Sequence, residues 1–344
     1  MPYIPIKTSS LLNQFFYLST CQDQNILLSP HSSLHGLSVS LSLSPNQILP
    51  SLKPREFTNS ASLLGVHAEG PYLFPAKKGA HNASLFHTPS TPPSSIYGAS
   101  NLPTIKLATI APELPNSTAL IKQLTAAGTR ISLGHSSATY AQGLSALSAG
   151  ATALTHTLNA MSGFQSREPG LAGLISLPST ATAPPAPFYS LIPDGQHLHP
   201  ATLSLLHRAH PRRSILITDS IELAGLPDGV YAGHAQIAAR QRKTGPRATI
   251  EGTDTLIGGC VSLQEGVRNL MRWSGCGIAE AVACVTENVA GLMGIDGPGG
   301  RGVLREGRRA DLCVLSDEGE VLQTWIAGRK VWDREDELAK REES

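Results

Sequence analysis

The sequence predicts an α/β fold, a (β/α)8 TIM-type barrel with a small β-domain at its C-terminal end. Three observations carry this. From about Ser62 onward, short apolar runs alternate with helix-like segments, the pattern of a parallel sheet. The runs end in ionisable residues, Glu69, His135, His156, His197 and Asp219, and the C-terminal ends of barrel strands are where active sites lie. Near the chain's end, alternating apolar residues and Asp-Glu-Gly turns replace this rhythm and read as antiparallel strands. No G-x-G-x-x-G follows a first strand, which argues against a dinucleotide-binding sheet.

Taken in order, residues 1–60 are rich in Ser, Leu and Pro without a helix or strand period, and read as an irregular segment. Residues 61–300 read as the barrel. Its strands are "SLLGVHAEG", "IKLATIAPE", "TRISLGHS", "ATALTHTLNAM", "FYSLIPDGQH" and "SILITDS", and its helices include "STALIKQLTAAG", "ATYAQGLSALSAG" and "PATLSLLHRAH". "PPSSIYG" and "TATAPPAP" are loop signals. Residues 301–334 form the β-domain, and the charged residues 335–344 read as a flexible tail.

The chain has 344 residues, 41% hydrophobic and 15% charged, with a net charge of +1. That fits a globular protein with a sizeable core and gives no broad basic surface for nucleic acid. No apolar stretch is long enough for a membrane span, and the start lacks the features of a secretory signal. The odd set Cys21, Cys260, Cys276, Cys284 and Cys313 contains no C-x-x-C pair. Reduced thiols in the cytoplasm are the expectation, and the sequons at Asn82 and Asn116 read as chance matches.

Glu69, His135 and His156 are an acid and two imidazoles at separate strand ends. Zinc accepts these ligands, and a catalytic site needs three plus an open position. One loop histidine is usually just polar; three converging groups are harder to dismiss. Asp219 reads either as a general base beside a metal-activated water or as a helix N-cap. His81, Asn159, Arg167 and His197 are candidate substrate contacts. Arg167 lies in a Gly/Pro-rich loop, where a guanidinium can clamp a phosphate or carboxylate or simply be solvated. Lys77 and Lys78 read as surface charge or as positive field at the mouth.

Seven segments occur in the order found in N-acetylglucosamine-6-phosphate deacetylases of the amidohydrolase superfamily, which the chain resembles over about residues 62–332. They are "GVHAEGPYLFPAKKGAH", "ISLGHSSATY", "GATALTHTLNAM", "REPGLAG", "PDGQHLHP", "ITDSIELAGLPDGVY" and "VRNLMRWSG". The resemblance implies one divalent metal, Zn²⁺ by preference, on Glu69, His135 and His156. It implies Asp219 as catalytic acid/base and His81 on the acetamide carbonyl. It also implies Asn159 and Ala160 at the sugar phosphate, and Arg167 and His197 on phosphate and sugar. The substrate would be a small sugar phosphate, the products acetate and glucosamine 6-phosphate, and the assembly a homodimer without nucleic-acid or membrane partners.

Departures from the family pattern are definite. The opening β-domain strands and a "PGFID"-like first barrel strand have no counterpart, so the barrel is expected to lack its first strand. "PYIPIKTSS" looks like the second strand. That expectation leaves unpaired edges beside "PYIPIK" and "SILITDS", exposes the β-domain around Leu312, Val314 and Trp325, and predicts poor solubility or weak activity. "GGC" at Gly258–Cys260 replaces a Gly-Ser motif, and Pro193 stands where the family tends to have alanine. The competing readings are an amidohydrolase for another N-acyl or cyclic amide, which would not need Arg167 and His197, and an inactive deacetylase-like protein.

Overall fold

The computed structural model describes residues 15–19, 49–57, 61–178, 184–233 and 237–342. Its centre is a parallel sheet of seven strands in sequential order. These are β1 (Phe15–Ser19), β2 (Gly65–Glu69), β3 (Ile105–Ile110), β4 (Arg130–Leu133), β5 (Ala151–Leu154), β6 (Phe188–Leu191) and β7 (Ser214–Leu216). Strands β2 and β4 are buried along nearly their whole length, as expected when both faces of a parallel sheet are covered. Between the strands lie α1 (Pro93–Tyr97), α2 (Ser117–Ala126), α3 (Tyr140–Ser148) and α4 (Pro200–Ala209).

Local sequence fixes these elements. Helix α3 starts at a capping box. Gln142 N donates to Thr139 Oγ1 at 3.3 Å, and Thr139 N donates to Gln142 Oε1 at 2.9 Å. Helix α2 buries Leu120, Ile121 and Leu124 on one stripe, the i, i+1, i+4 pattern of an amphipathic helix. Between the inner strands runs a chain of buried polar side chains. His67 Nε2 lies 2.8 Å from Thr109 Oγ1, which is 2.8 Å from Thr155 Oγ1, which is 2.6 Å from Ser132 Oγ. Burial pushes the His67 imidazole down to about 4, so it sits there neutral.

The sheet is curled. In a flat sheet β2 and β7, five strands apart, would be separated by roughly 24 Å. Glu69 at the end of β2 and Asp219 just after β7 nevertheless line one cavity.

The expected edge strand "PYIPIKTSS" lies outside the described residues. The described N-terminal strand is β1, paired parallel with β2 from Phe15↔Gly65 to Ser19↔Glu69. The other edge, β7, is not left bare. Leu216 N donates to Cys284 O at 3.1 Å, and Asn288 Nδ2 donates to Ser214 O at 2.7 Å and to Pro211 O at 2.9 Å. Backbone groups expected to be orphaned on the "SILITDS" side are thus satisfied by the segment around Cys284 and Asn288.

Two further features concern the elements after β7. Residues 229–259 do not continue the α/β rhythm. They form an antiparallel sheet of β8 (Gly229–Tyr231), β9 (Gln241–Thr244), β10 (Arg247–Ile250) and β11 (Leu256–Gly259). Its small core holds Leu223, Ile237, Ala248 and Ile257. The α/β part then resumes with α5 (Leu263–Ser274), α6 (Ile278–Ala283) and α7 (Glu287–Met293). Residues 312–333 form an antiparallel meander of β12 (Leu312–Leu315), β13 (Val321–Ile326) and β14 (Arg329–Asp333). Val314 on it is 42% exposed, while Leu312 and Trp325 are half-buried. The charged tail contains helix α8 (Arg334–Glu342). Asp333 Oδ1 accepts from Glu335 N at 3.0 Å, and Glu, Leu, Ala, Lys and Arg are good helix formers. An ion pair of Arg334 with Glu320 ties its start to the meander.

Candidate metal centre and active site

The strand-end residues meet at one point. Glu69 Oε1 lies 2.7 Å from His135 Nε2, 3.3 Å from His156 Nε2 and 3.1 Å from His81 Nε2. The two Nε2 atoms of His135 and His156 are 3.0 Å apart. Glu69, His135 and His156 are all buried. Their backbones and that of Asp219 explain the tight aim. His135 (φ 49°), His156 (φ 29°) and Asp219 (φ 47°) all adopt the left-handed region, as do Leu158 (φ 72°) and Ala160 (φ 47°). That conformation is costly for non-glycine residues, and such residues cluster at functional sites.

The donor set fits a cation. His135 Nδ1 is 2.8 Å from the Lys77 carbonyl oxygen. That oxygen can only accept, so the ring proton is on Nδ1 and Nε2 carries its lone pair towards Glu69 and His156. Glu69 Oε2 and His156 Nδ1 are buried with no hydrogen-bond partner among the described residues. Lone pairs converging on a buried point repel unless a positive charge lies among them. One ligand atom from each of Glu69, His135 and His156 falls within 4.8 Å of the others, which a tetrahedral or five-coordinate ion can bridge.

These buried groups also shift one another strongly. Burial alone would raise the Glu69 carboxyl. The His156 charge and hydrogen bonds from His135, His156 and His81 overcome it and hold Glu69 well below the usual range. Burial pushes His135 down to about 4, against the pull of Glu69. At His156 burial is outweighed by Glu69 and Asp219, and the value rises to about 9. Asp219 moves up, through desolvation and then the charge of Glu69, with His156, His197 and His81 opposing.

A cavity of about 290 Å³ opens over this cluster. Its wall includes His81, Asn159, Ala160, His197 and Asp219 with the three candidate ligands. Eight of the nine residues singled out from the sequence therefore come together. Arg167 does not: it is exposed on the loop after β5 and is absent from the cavity wall. The two readings of Asp219 are also separated. The next helical turn, Glu222–Gly225, has Ile221 at its N-cap, so Asp219 caps no helix there.

Sequence reasoning missed three contributors. Asp194, in "IPDGQH", orients His197. Its Oδ2 is 2.6 Å from His197 Nδ1, and its Oδ1 accepts from the backbone N–H of Gln196 and His197. The D-x-x-H spacing in a turn was the available signal. Glu113 holds the loop that carries His135, accepting from Ser136 Oγ at 2.7 Å and Ser137 N at 2.6 Å. The inserted sheet supplies Ile237, Leu256, Ile257 and Gly258 as an apolar wall. It can approach because of its glycine pair. A Cβ on Gly259 would lie 1.8 Å from Thr218 O, and one on Gly258 2.4 Å from Ile221 Cγ2. Gly259 N donates to Asp219 O at 2.6 Å. The "GGC" departure is thus the contact between the insertion and the Asp219 loop.

No family model matches the chain. Among known proteins it is similar to the N-acetylglucosamine-6-phosphate deacetylase of Danio rerio, 36% identical over 296 residues, covering 83% of this chain and 70% of the relative. It is also similar to the N-acetylgalactosamine-6-phosphate deacetylase of Escherichia coli O157:H7, 35% identical over 269 residues, covering 78% of this chain and 68% of that protein. Among solved structures, a mutant of the Mycobacterium smegmatis N-acetyl-D-glucosamine-6-phosphate deacetylase in complex with N-acetyl-D-glucosamine 6-phosphate matches with a TM-score of 0.68. It is 31% identical, and the match covers 78% of this chain and 68% of that one.

Proposed function

Since the chain belongs to the N-acetylglucosamine-6-phosphate deacetylase family, we propose that it hydrolyses the acetamide of N-acetyl-D-glucosamine 6-phosphate to acetate and D-glucosamine 6-phosphate in amino-sugar catabolism. The observation that carries this is the convergence of Glu69, His135 and His156 with Asp219 in one cavity. In this reading the seven strands of the described sheet belong to a (β/α)8 barrel, and the protein works in the cytoplasm as a homodimer. Free thiols at Cys260, Cys276 and Cys284 support the compartment.

Glu69, His135 and His156 would hold one divalent metal, Zn²⁺ by ligand type. Such an ion supplies water acidification and carbonyl polarisation when bound. The chain's own groups do the rest. Asp219 takes a proton from the attacking water and returns it to the amine, which cannot leave as an anion. His81 Nε2, beside Glu69, lies where a carbonyl oxygen can be held. His197, its Nδ1–H fixed on Asp194, turns Nε2 to the sugar phosphate. Asn159 and the backbone of Ala160 complete that side. The apolar wall from the inserted sheet excludes water and strengthens these contacts.

The phosphate is the discriminating feature of the substrate. Rates on N-acetylglucosamine 6-phosphate, its 4-epimer and unphosphorylated N-acetylglucosamine test the reading. The expected order places the first above the last by at least about 10-fold in kcat/KM, the size of one lost charge-assisted contact of about 1.5–3 kcal/mol. Equal turnover with and without phosphate would instead favour a general N-acyl hydrolase. Asp194→Asn is expected to raise KM by roughly 10-fold with less effect on kcat, because His197 loses the carboxylate that orients it. Steady-state kinetics read this directly, and an unchanged KM removes His197 from the substrate contacts.

A further inference from the structure

A second cluster of ligand-type side chains lies away from the active site. His207, in the last turn of α4, has its side chain 1% exposed. Its Nδ1 is 3.1 Å from the Oγ of Ser214, the first residue of β7, and its Nε2 is 2.8 Å from Glu280 Oε1. Cys276 sits in the turn between α5 and α6 and is partly exposed. One donor atom from each of His207, Cys276 and Glu280 lies within 4.8 Å of the other two. Ser214 is at the N-terminal end of β7, while Asp219 follows its C-terminal end, so this cluster is at the opposite end of the strand and plays no part in the hydrolysis.

The arrangement has the features of a built site. Imidazole, thiolate and carboxylate are all zinc ligands. Ser214 engages Nδ1, which fixes the ring and leaves Nε2 to face the other two groups. The turn that carries Cys276 is held in place: Arg208 donates to Ser274 O, and Cys276 N donates to Ser274 Oγ at 3.2 Å. Glu280 is in the first turn of α6 and Cys276 just precedes its N-cap Gly277, and both reach His207 in the last turn of α4. The Glu280 side chain is 49% exposed, which leaves the cluster a path to solvent.

We propose that His207, Cys276 and Glu280 form a second divalent-metal site, of the zinc class, which staples α4 to the α5–α6 turn behind the edge strand β7. This does not depend on the deacetylase reading. The competing possibility is a plain His207–Glu280 ion pair with a bystander thiol.

The test is metal content after Zn²⁺ loading and desalting, together with the visible spectrum of the Co²⁺-substituted protein. Wild type is expected to carry two ions per chain and to show a thiolate-to-cobalt charge-transfer band. Cys276→Ser should lose one ion and the band while keeping its hydrolytic rate, and Glu280→Gln should weaken retention of the same ion. His135→Ala should lose the other ion and keep the band. One ion per chain in wild type, unchanged in Cys276→Ser and with no thiolate band, overturns the proposal. If Cys276→Ser does not fold, the presence or absence of the band in wild type and in His135→Ala decides.

Discussion

Asp219→Asn should keep its metal and its substrate affinity while kcat falls by at least about 10²-fold. Asparagine has nearly the same shape, so the Asp219 loop, anchored by Gly259 N on Asp219 O at 2.6 Å, keeps its place. What is lost is the ability to accept a proton from water and hand it to the amine. Desolvation, and then the charge of Glu69, raise the Asp219 carboxyl above its ordinary value. A carboxylate is a base only when ionised. The acid side of the wild-type kcat/KM profile should therefore fall as pH drops through the raised Asp219 value, and this limb should be missing from the variant. Metal analysis, substrate titration and a pH–rate profile check the three parts. A near-normal rate in Asp219→Asn would show that the proton travels by another route.

His135→Ala should lose the ion at this centre and with it essentially all hydrolysis. Changing an outer-shell partner of a metal ligand costs about 10–100-fold, and removing one of only three protein ligands should exceed that. His135 is the best-oriented of the three, with Nδ1 held by Lys77 O at 2.8 Å and Nε2 at 2.7 Å from Glu69 Oε1. Its loss leaves Glu69 and His156 to face each other at 3.3 Å. Metal content and rate should fall together, and Glu69→Gln should reproduce the result by a different change. Full occupancy of this centre in His135→Ala, with folding intact by circular dichroism, would remove His135 from the ligand set.

Much of the chemistry could be read from the sequence, and the reason is positional. Glu69, His135, His156 and Asp219 each end a short apolar run, and a curled parallel sheet brings such ends together. Glu69 and Asp219 come from strands five apart in the sheet and still face one cavity. Features that depend on contacts distant in sequence were not legible in this way. Asp194 reads as a turn residue until His197 Nδ1 is found 2.6 Å from it. The inserted strands Gln241–Thr244 and Arg247–Ile250 are short, and their half-polar pattern lacks clean alternation. They are stabilised by a small core around Leu223, Ile237, Ala248 and Ile257, which no local window contains. Arg167 matched a motif, but its loop leaves the guanidinium outside the cavity. The tail's helix formers and the Asp333 cap on Glu335 N favour a helix that the charge pattern alone did not suggest.

On the proposed reading, Glu69, His135 and His156 would hold a divalent ion that hydrolysis of the sugar-phosphate acetamide requires. The most direct measurement is release of acetate and primary amine from N-acetylglucosamine 6-phosphate by the purified chain, before chelation, after chelation and after Zn²⁺ is restored. Equal amounts of the two products are expected, with loss of release when the metal is stripped and recovery when it returns. Release that survives complete metal removal, or none from the metal-loaded protein, would contradict it.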